Sequence, residues 1–216
     1  RNAPHLDWID VPLAALIQQS TGIRTALDND ATLGALAEHL FGAGRGVDEL
    51  VYLNGGASGI GGGLVIHGRA ALGASGYAGE FGHNRPRLDD DRDQRTDRGA
   101  LEDEVNRRHL MQILGLDGAD DRELQEALAA ASSPEVLDEI DRQVRVLGSA
   151  LANVVNVLNP AVVVLGGFLA LLDDMRHDAL VAEIERHAMS ESAGVVQLRA
   201  AALGSDRLLI GAAELV

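Results

Sequence analysis

The 216-residue sequence contains no cysteine and no lysine, so its 18 cationic side chains are all arginine. The first absence excludes disulfides and thiolate metal sites. The second excludes a Walker-type phosphate loop, whose glycines are followed by lysine, and any Schiff-base chemistry. Aromatic residues make up only 3% of the chain while hydrophobic residues make up 46%, so the core has to be built from Val, Leu, Ile and Ala. No apolar run reaches the roughly 18 residues that cross a bilayer. The formal net charge is −15. That balance argues against this piece contacting nucleic acid or anionic lipid, both of which need a basic face, and leaves open a DNA-binding segment elsewhere in a longer protein. Arg1 to Asp10 is polar and interrupted by Pro4, unlike a secretory signal. A soluble cytoplasmic protein is the expectation. The chain does not begin with Met, which suits a trimmed piece of something longer. Its length is enough for one large domain or one and a half lobes.

What is present is organised by period and by glycine. Asp10-Val11-Pro12 reads as a helix start, with Gly22 ending the helix. Ile23 to Leu27 reads as a short strand, and the segment from Ala31 to about Gly42 as a helix. Leu50 to Leu53 and Leu64 to Ile66 read as strands around a glycine turn. Arg85 to Arg98 carries charges of both signs and almost no apolar residue, as a solvated loop does. Leu101 to Leu114 and Asp121 to Ala130 read as helices. From Ser133 to Leu158, Leu137, Ile140, Val144, Leu147, Leu151, Val154 and Leu158 fall on one helical face. Ala161 to Leu165 is apolar throughout, as in a strand buried on both faces. Asp178 to His187 reads as a helix, Val195 to Ala200 as a strand and Asp206 to Val216 as a closing helix. Strands separated by helices make this an α/β fold.

Four places could carry chemistry. Asp28-Asn29-Asp30 follows the first such strand, where α/β proteins collect ligands, and offers a general base and an amide to a sugar hydroxyl. The same residues also suit a helix N-cap. Gly59 to Gly63 could cradle an anion or simply turn a hairpin. Glu80 and His83, flanked by glycines, could hold hydroxyls or a metal, or be ordinary surface groups. Gly166-Gly167, after the buried strand, could admit a nucleoside or serve as a crossover turn.

Taken in order, these pieces resemble the ROK family of repressors, open-reading-frame proteins and sugar kinases. The resemblance rests on Leu27-Asp28-Asn29-Asp30-Ala31, Phe41 to Gly46, Gly59 to Gly63, Gly68-Arg69, Gly76 to His83, Asn159-Pro160 and Val164 to Gly167. It implies an actin-like, ribonuclease-H-like fold, here mainly the larger C-terminal lobe. Residues 1–27 would be a remnant of the small lobe, 28–205 the sugar-binding lobe, and 206–216 a helix returning toward the small lobe. Asn29, Asp30, Glu80, His83 and Glu102 would contact the sugar, with Asp30 as base in a kinase. Ser58, Gly59, Gly166 and Gly167 would meet the nucleotide.

Three departures from the family pattern stand out. The opening Asp-x-Gly-Gly-Thr phosphate motif is absent. The three cysteines that join the motif histidine on zinc fall at Asp93, Arg95 and Ala100, so no structural zinc is expected. The Gly-Thr-Gly before the glycine run reads Ala57-Ser58-Gly59. The last two departures, with the sugar residues retained, favour the sugar-sensing, oligomerising part of a regulator, needing no cofactor and reaching DNA only through an N-terminal winged-helix domain absent from this chain. The alternative is a fragment of a sugar kinase using Mg-ATP. A hexose or hexose derivative is the expected ligand, a homodimer or higher oligomer the expected assembly, and no membrane partner is expected.

Overall fold

A computed structural model describes residues 2–3, 8–9 and 11–215. Arg1, Asp10, Val216 and residues 4–7 lie outside these, so of the expected helix start only Val11 and Pro12 are described, with Pro12 at the N-cap position of the first helix. Helix α1 (Leu13–Thr21) ends at Gly22, whose left-handed φ of 72° lets its N–H close on the Gln18 carbonyl at 2.8 Å. Before it, strands β1 (Asn2–Ala3) and β2 (Trp8–Ile9) pair antiparallel.

The main sheet has the order β5-β4-β3-β6-β7. Its strands are β3 (Leu50–Gly55), β4 (Ile60–Ile66), β5 (Arg69–Ala70), β6 (Val162–Gly167) and β7 (Gln197–Ala200). β3 runs parallel to β6, and β6 to β7, while β4 and β5 are antiparallel additions. Alternation along β3 and β6 sorts the core into two layers. Val51, Leu53, Val163 and Leu165 point into one. Leu50, Tyr52, Val162 and Val164 point into the other.

The first layer is closed by α6 (Pro134–Leu158) and α7 (Phe168–His187). Ile140, Val144, Leu147, Leu151 and Val154 of α6 are buried in it, each worth about 1.5–3 kcal/mol of transfer free energy. Leu137 and Leu158, at the ends of the same face, are partly buried. The second layer is closed by α2 (Asp30–Phe41), which also packs against the final helix, α9 (Arg207–Ala213). Short helices α3 (Leu101–Glu104), α4 (Arg107–Ile113), α5 (Asp121–Ala129) and α8 (Ser190–Ala193) fill the remaining connections.

Several sequence expectations are corrected here. Residues 23–27 form no strand: Ile23 and Leu27 are 67% and 47% exposed, and no neighbouring strand pairs with them among the described residues. The segment from Leu101 to Leu114 is two helices, because the Asn106 side chain caps α4 by accepting the His109 N–H at 3.1 Å. The helix read from Asp178 begins ten residues earlier, at Phe168. Arg176 (φ −141°, ψ 36°) breaks its geometry and so hides the first half from a periodicity count.

The glycine cluster is the largest correction. The turn is confined to residues 56–59, closed by the Gly56 N–H on the Gly59 carbonyl at 2.9 Å, while Gly61, Gly62 and Gly63 are inside β4. A Cβ at Gly63 would stand 2.6 Å from the Ala35 Cβ and 2.8 Å from the Ala31 carbonyl oxygen. Glycine is required there because α2 lies directly on the strand.

Candidate functional site

The N-terminus of α2, the end of β3, the 56–59 turn and a short 3-10 turn at Phe81–His83 surround a cavity of about 620 Å³. Asn29, Asp30, Ser58, Gly59, Glu80, His83 and Glu102 all line it. Residues drawn from four separated stretches of sequence are thus brought to one space. Asn54 and Tyr77 line it as well and were not singled out from the sequence. Asn54 had a readable signal, since it stands at the C-terminal end of a strand just before Gly55-Gly56.

Asn29 is the N-cap of α2: its Oδ1 accepts the N–H groups of Ala31 at 2.8 Å and Thr32 at 3.3 Å. The cap uses the oxygen only, so the amide nitrogen remains for the cavity it lines. Cap and ligand contact are therefore compatible in one side chain. Asp30, the first helical residue, is exposed and sits where the positive end of the helix dipole favours a carboxylate. Glu80 and His83 are both exposed on the short turn.

Glu102 is the recessed acid, with its side chain 20% exposed. Its Oε2 packs so tightly that a Cβ at Gly59 would lie 2.6 Å away and one at Gly82 would lie 2.9 Å away. Gly59 also needs its φ of 144°. Arg98 holds the other oxygen, its Nη2 donating to Glu102 Oε1 at 3.0 Å, while Nη1 reaches Asp103 at 3.4 Å.

A second cavity, of about 510 Å³, adjoins the first at Asn54 and Gly56. Gly167, Arg107, Met111, Asp121 and Arg207 line it. Gly167 stands opposite Gly55 in the sheet, at a φ of 60°, and a Cβ there would collide with the Gly55 carbonyl oxygen. Gly166 lines neither cavity and sits behind Asn54, where a Cβ would be 2.8 Å from Asn54 Oδ1 and 2.9 Å from the Tyr52 hydroxyl. Tyr52 is wholly buried and donates to Asn54 Oδ1 at 3.2 Å. Burial pushes the Tyr52 hydroxyl up to about 12, against a smaller opposing pull from Arg207.

The family model described as the ROK family matches residues 1–216. The chain belongs to the ROK family. A putative xylose repressor of Caldicellulosiruptor sp. is 30% identical over 229 residues, covering 99% of this chain and 57% of the repressor. A crystal structure of a ROK family transcriptional regulator, a homologue of the E. coli MLC protein, superposes with a TM-score of 0.80 at 25% identity. That match covers 97% of this chain and 56% of the regulator. A ROK family glucokinase from Streptomyces griseus, solved with glucose and AMPPNP, gives a TM-score of 0.75 at 26% identity, covering 100% of this chain and 75% of the kinase. The chain thus has the α/β, actin-like fold of ROK proteins. It spans about half the length of the curated repressors it matches, 45% and 57% in two cases. Among the described residues no helix is long and apolar enough to cross a membrane.

The ROK zinc site can be tested on these residues, and they do not fit it. At the three cysteine positions, Asp93 grips Arg145 through both oxygens at 2.7 and 2.9 Å. Arg95 is a cation, and Ala100 is buried without a donor side chain. His83 turns its Nδ1 to Arg98. The loop is held by ion pairs instead. Arg142, only 3% exposed, donates to the Asp93 carbonyl at 2.6 Å, to Glu104 Oε2 at 3.2 Å and to Glu139 at 2.8 and 2.9 Å. Glu104 in turn accepts the N–H groups of Arg95 and Thr96 at 2.8 and 2.9 Å. Burial raises the Glu139 carboxyl, but the Arg142 and Gln143 hydrogen bonds outweigh this and hold it below its usual range. Removing one member of so buried a set leaves a charge unpaired, at about 3–5 kcal/mol. Farther along the loop, Asp89 pairs with Arg186 of α7 at 2.7 Å and the Arg87 carbonyl accepts Ser149 Oγ at 2.6 Å.

Proposed function

We propose that this chain is the sugar-sensing and oligomerising part of a ROK-family transcriptional regulator. The observation that carries the reading is the convergence of Asn29, Asp30, Glu80, His83 and Glu102 on one polar cavity. Carboxylates, an imidazole and an amide around an open space suit a ligand with many hydroxyls and little apolar surface. Asn29 and Asp30 come from the N-terminus of α2, His83 from the 81–83 turn and Glu102 from α3, and a hexose or hexose derivative is the ligand class. The altered turn at Ala57-Ser58-Gly59 supports sensing over phosphoryl transfer, which depends on positioned phosphate contacts. With a net charge of −15, DNA contact is assigned to a winged-helix domain outside this chain, in a cytoplasmic homo-oligomer.

The second reading is a sugar kinase, favoured by the second cavity beside Ser58 and Gly59. There Arg107, Arg207 and Gly167 would hold Mg-ATP, which would supply the transferred phosphoryl group, and Asp30 would take the proton of the sugar hydroxyl. Calorimetry of the full-length protein against a panel of glucose, xylose and N-acetylated hexosamines separates the two. It is run with and without Mg-ATP and followed by an assay for sugar phosphate. The expected result is binding without turnover, weakened at least tenfold by Asp30→Ala. Production of sugar phosphate would replace the sensor with the kinase.

A further inference from the structure

His83 lines the cavity from the last position of the short 3-10 turn, with its side chain 60% exposed. In a ROK protein with the full zinc motif, the metal would fix its ring. Here Arg98 Nη2 lies 2.5 Å from His83 Nδ1 and 3.0 Å from Glu102 Oε1. One guanidinium nitrogen therefore touches both an imidazole and a carboxylate that line the cavity. Glu102 Oε1 is 3.5 Å from the same Nδ1, too long to compete as its hydrogen-bond partner.

The chemistry of these groups dictates a protonation pattern. A guanidinium only donates, so the atom it meets on the imidazole has to accept. Nδ1 then carries a lone pair, and the ring proton of neutral His83 is on Nε2. Glu102 Oε1 is likewise committed as an acceptor, with Oε2 packed over Gly59 and Gly82. Two residues that line the cavity thus form a fixed pair, an imidazole N–H donor and a carboxylate with lone pairs to spare, which an adjacent pair of sugar hydroxyls can bridge.

We propose that Arg98 is a positioning residue that replaces zinc as the organiser of the cavity wall: it locks His83 in the Nε2–H tautomer and clamps Glu102 beside it. The assignment rests on the sugar-binding reading only for its consequence on affinity. The tautomer itself is independent of any ligand. Arg98 is 45% exposed and belongs to no buried network, so its removal leaves the Arg142 set that anchors the loop intact.

The test uses full-length protein labelled with ¹⁵N, with His83 assigned among the seven histidines by comparison with His83→Gln. Histidine ¹⁵N spectra of the neutral ring should show His83 with a bare Nδ1 and a protonated Nε2. In Arg98→Ala both nitrogens should move toward the averaged values of a free imidazole, while the melting temperature stays within a degree or two. Affinity for whichever hexose the wild type binds should fall at least tenfold in Arg98→Ala and recover in part in Arg98→Lys. Unchanged His83 signals in Arg98→Ala would overturn the proposal, as would stoichiometric zinc in the purified protein that His83→Gln releases. If the tautomer depends on Arg98 but no sugar binds the wild type, the positioning role stands and the sugar reading falls.

Discussion

Tyr52 connects the core to the cavity, its ring filling the layer under α2 and its hydroxyl holding Asn54 Oδ1 at 3.2 Å. Its raised pKa of about 12 makes a prediction with a definite sign. The unfolded chain loses this proton near pH 10, while the folded chain keeps it until about 12. Between those values the native state binds more protons, so stability falls as pH rises. The contribution is fully present below pH 10, and about 2–3 kcal/mol is lost by pH 12. With no lysine and only one other tyrosine, Tyr77, the window is almost free of competing side chains. Urea unfolding at pH 9, 10.5 and 11.5 should show the decline, and Tyr52→Phe should flatten it. At this scale the sequence was partly readable. Asn29, Asp30, Glu80, His83 and Glu102 each stand in a motif, but Arg98 and Arg142 do not. An arginine in a polar loop looks like any other until the fold brings its partner, and Arg142 meets Glu104 across 38 positions.

At the level of elements, period was legible and register was not. The apolar face of α6 repeats cleanly, and the unbroken apolar run of β6 signals burial on both sides. Residues 23–27 have strand-like composition, but a strand exists only where another can pair with it, and composition carries no record of that neighbour. The glycines of β4 misled for the opposite reason. Their cause is the distance between α2 and the sheet, a tertiary fact that looks like a turn when read locally. Substituting Gly63 by valine therefore tests packing and not turn geometry. The added side chain meets Ala35 and the Ala31 carbonyl, both fixed by α2, so neither can move aside cheaply. A loss of about 3 kcal/mol or more is expected, above the usual 1–3 kcal/mol for overpacking, because backbone as well as side chain is struck. Gly46, with nothing within 4 Å, is the control on the steric term. Its left-handed φ of 78° should limit the cost of Gly46→Asn to about 1 kcal/mol. Chemical denaturation of the two variants measures the difference.

Across the whole molecule, the α/β class followed from the alternation of strands and helices, whereas the path joining its parts did not. That path returns on itself. From the Glu102 carboxylate it passes through Arg98 to the polar loop, then through Asp89 to Arg186 near the end of α7. Back along α7, some 30 Å if the helix were straight, it reaches Phe168 and Gly167, which pair through β6 with Gly55 and so lead to Gly59, under Glu102 again. Opening this ring at Arg186 should change global stability by less than about 1 kcal/mol, since the pair is exposed and the Ser149 bond still tethers the loop. Amide exchange over residues 88–92 should nevertheless quicken in Arg186→Ala, while residues 95 and 96, held by Glu104, keep their protection. Rigid bodies joined in a closed circuit have fewer independent motions than the same bodies in a row. A displacement at the far end of α7 is therefore shared between the break at Arg176 and the cavity wall.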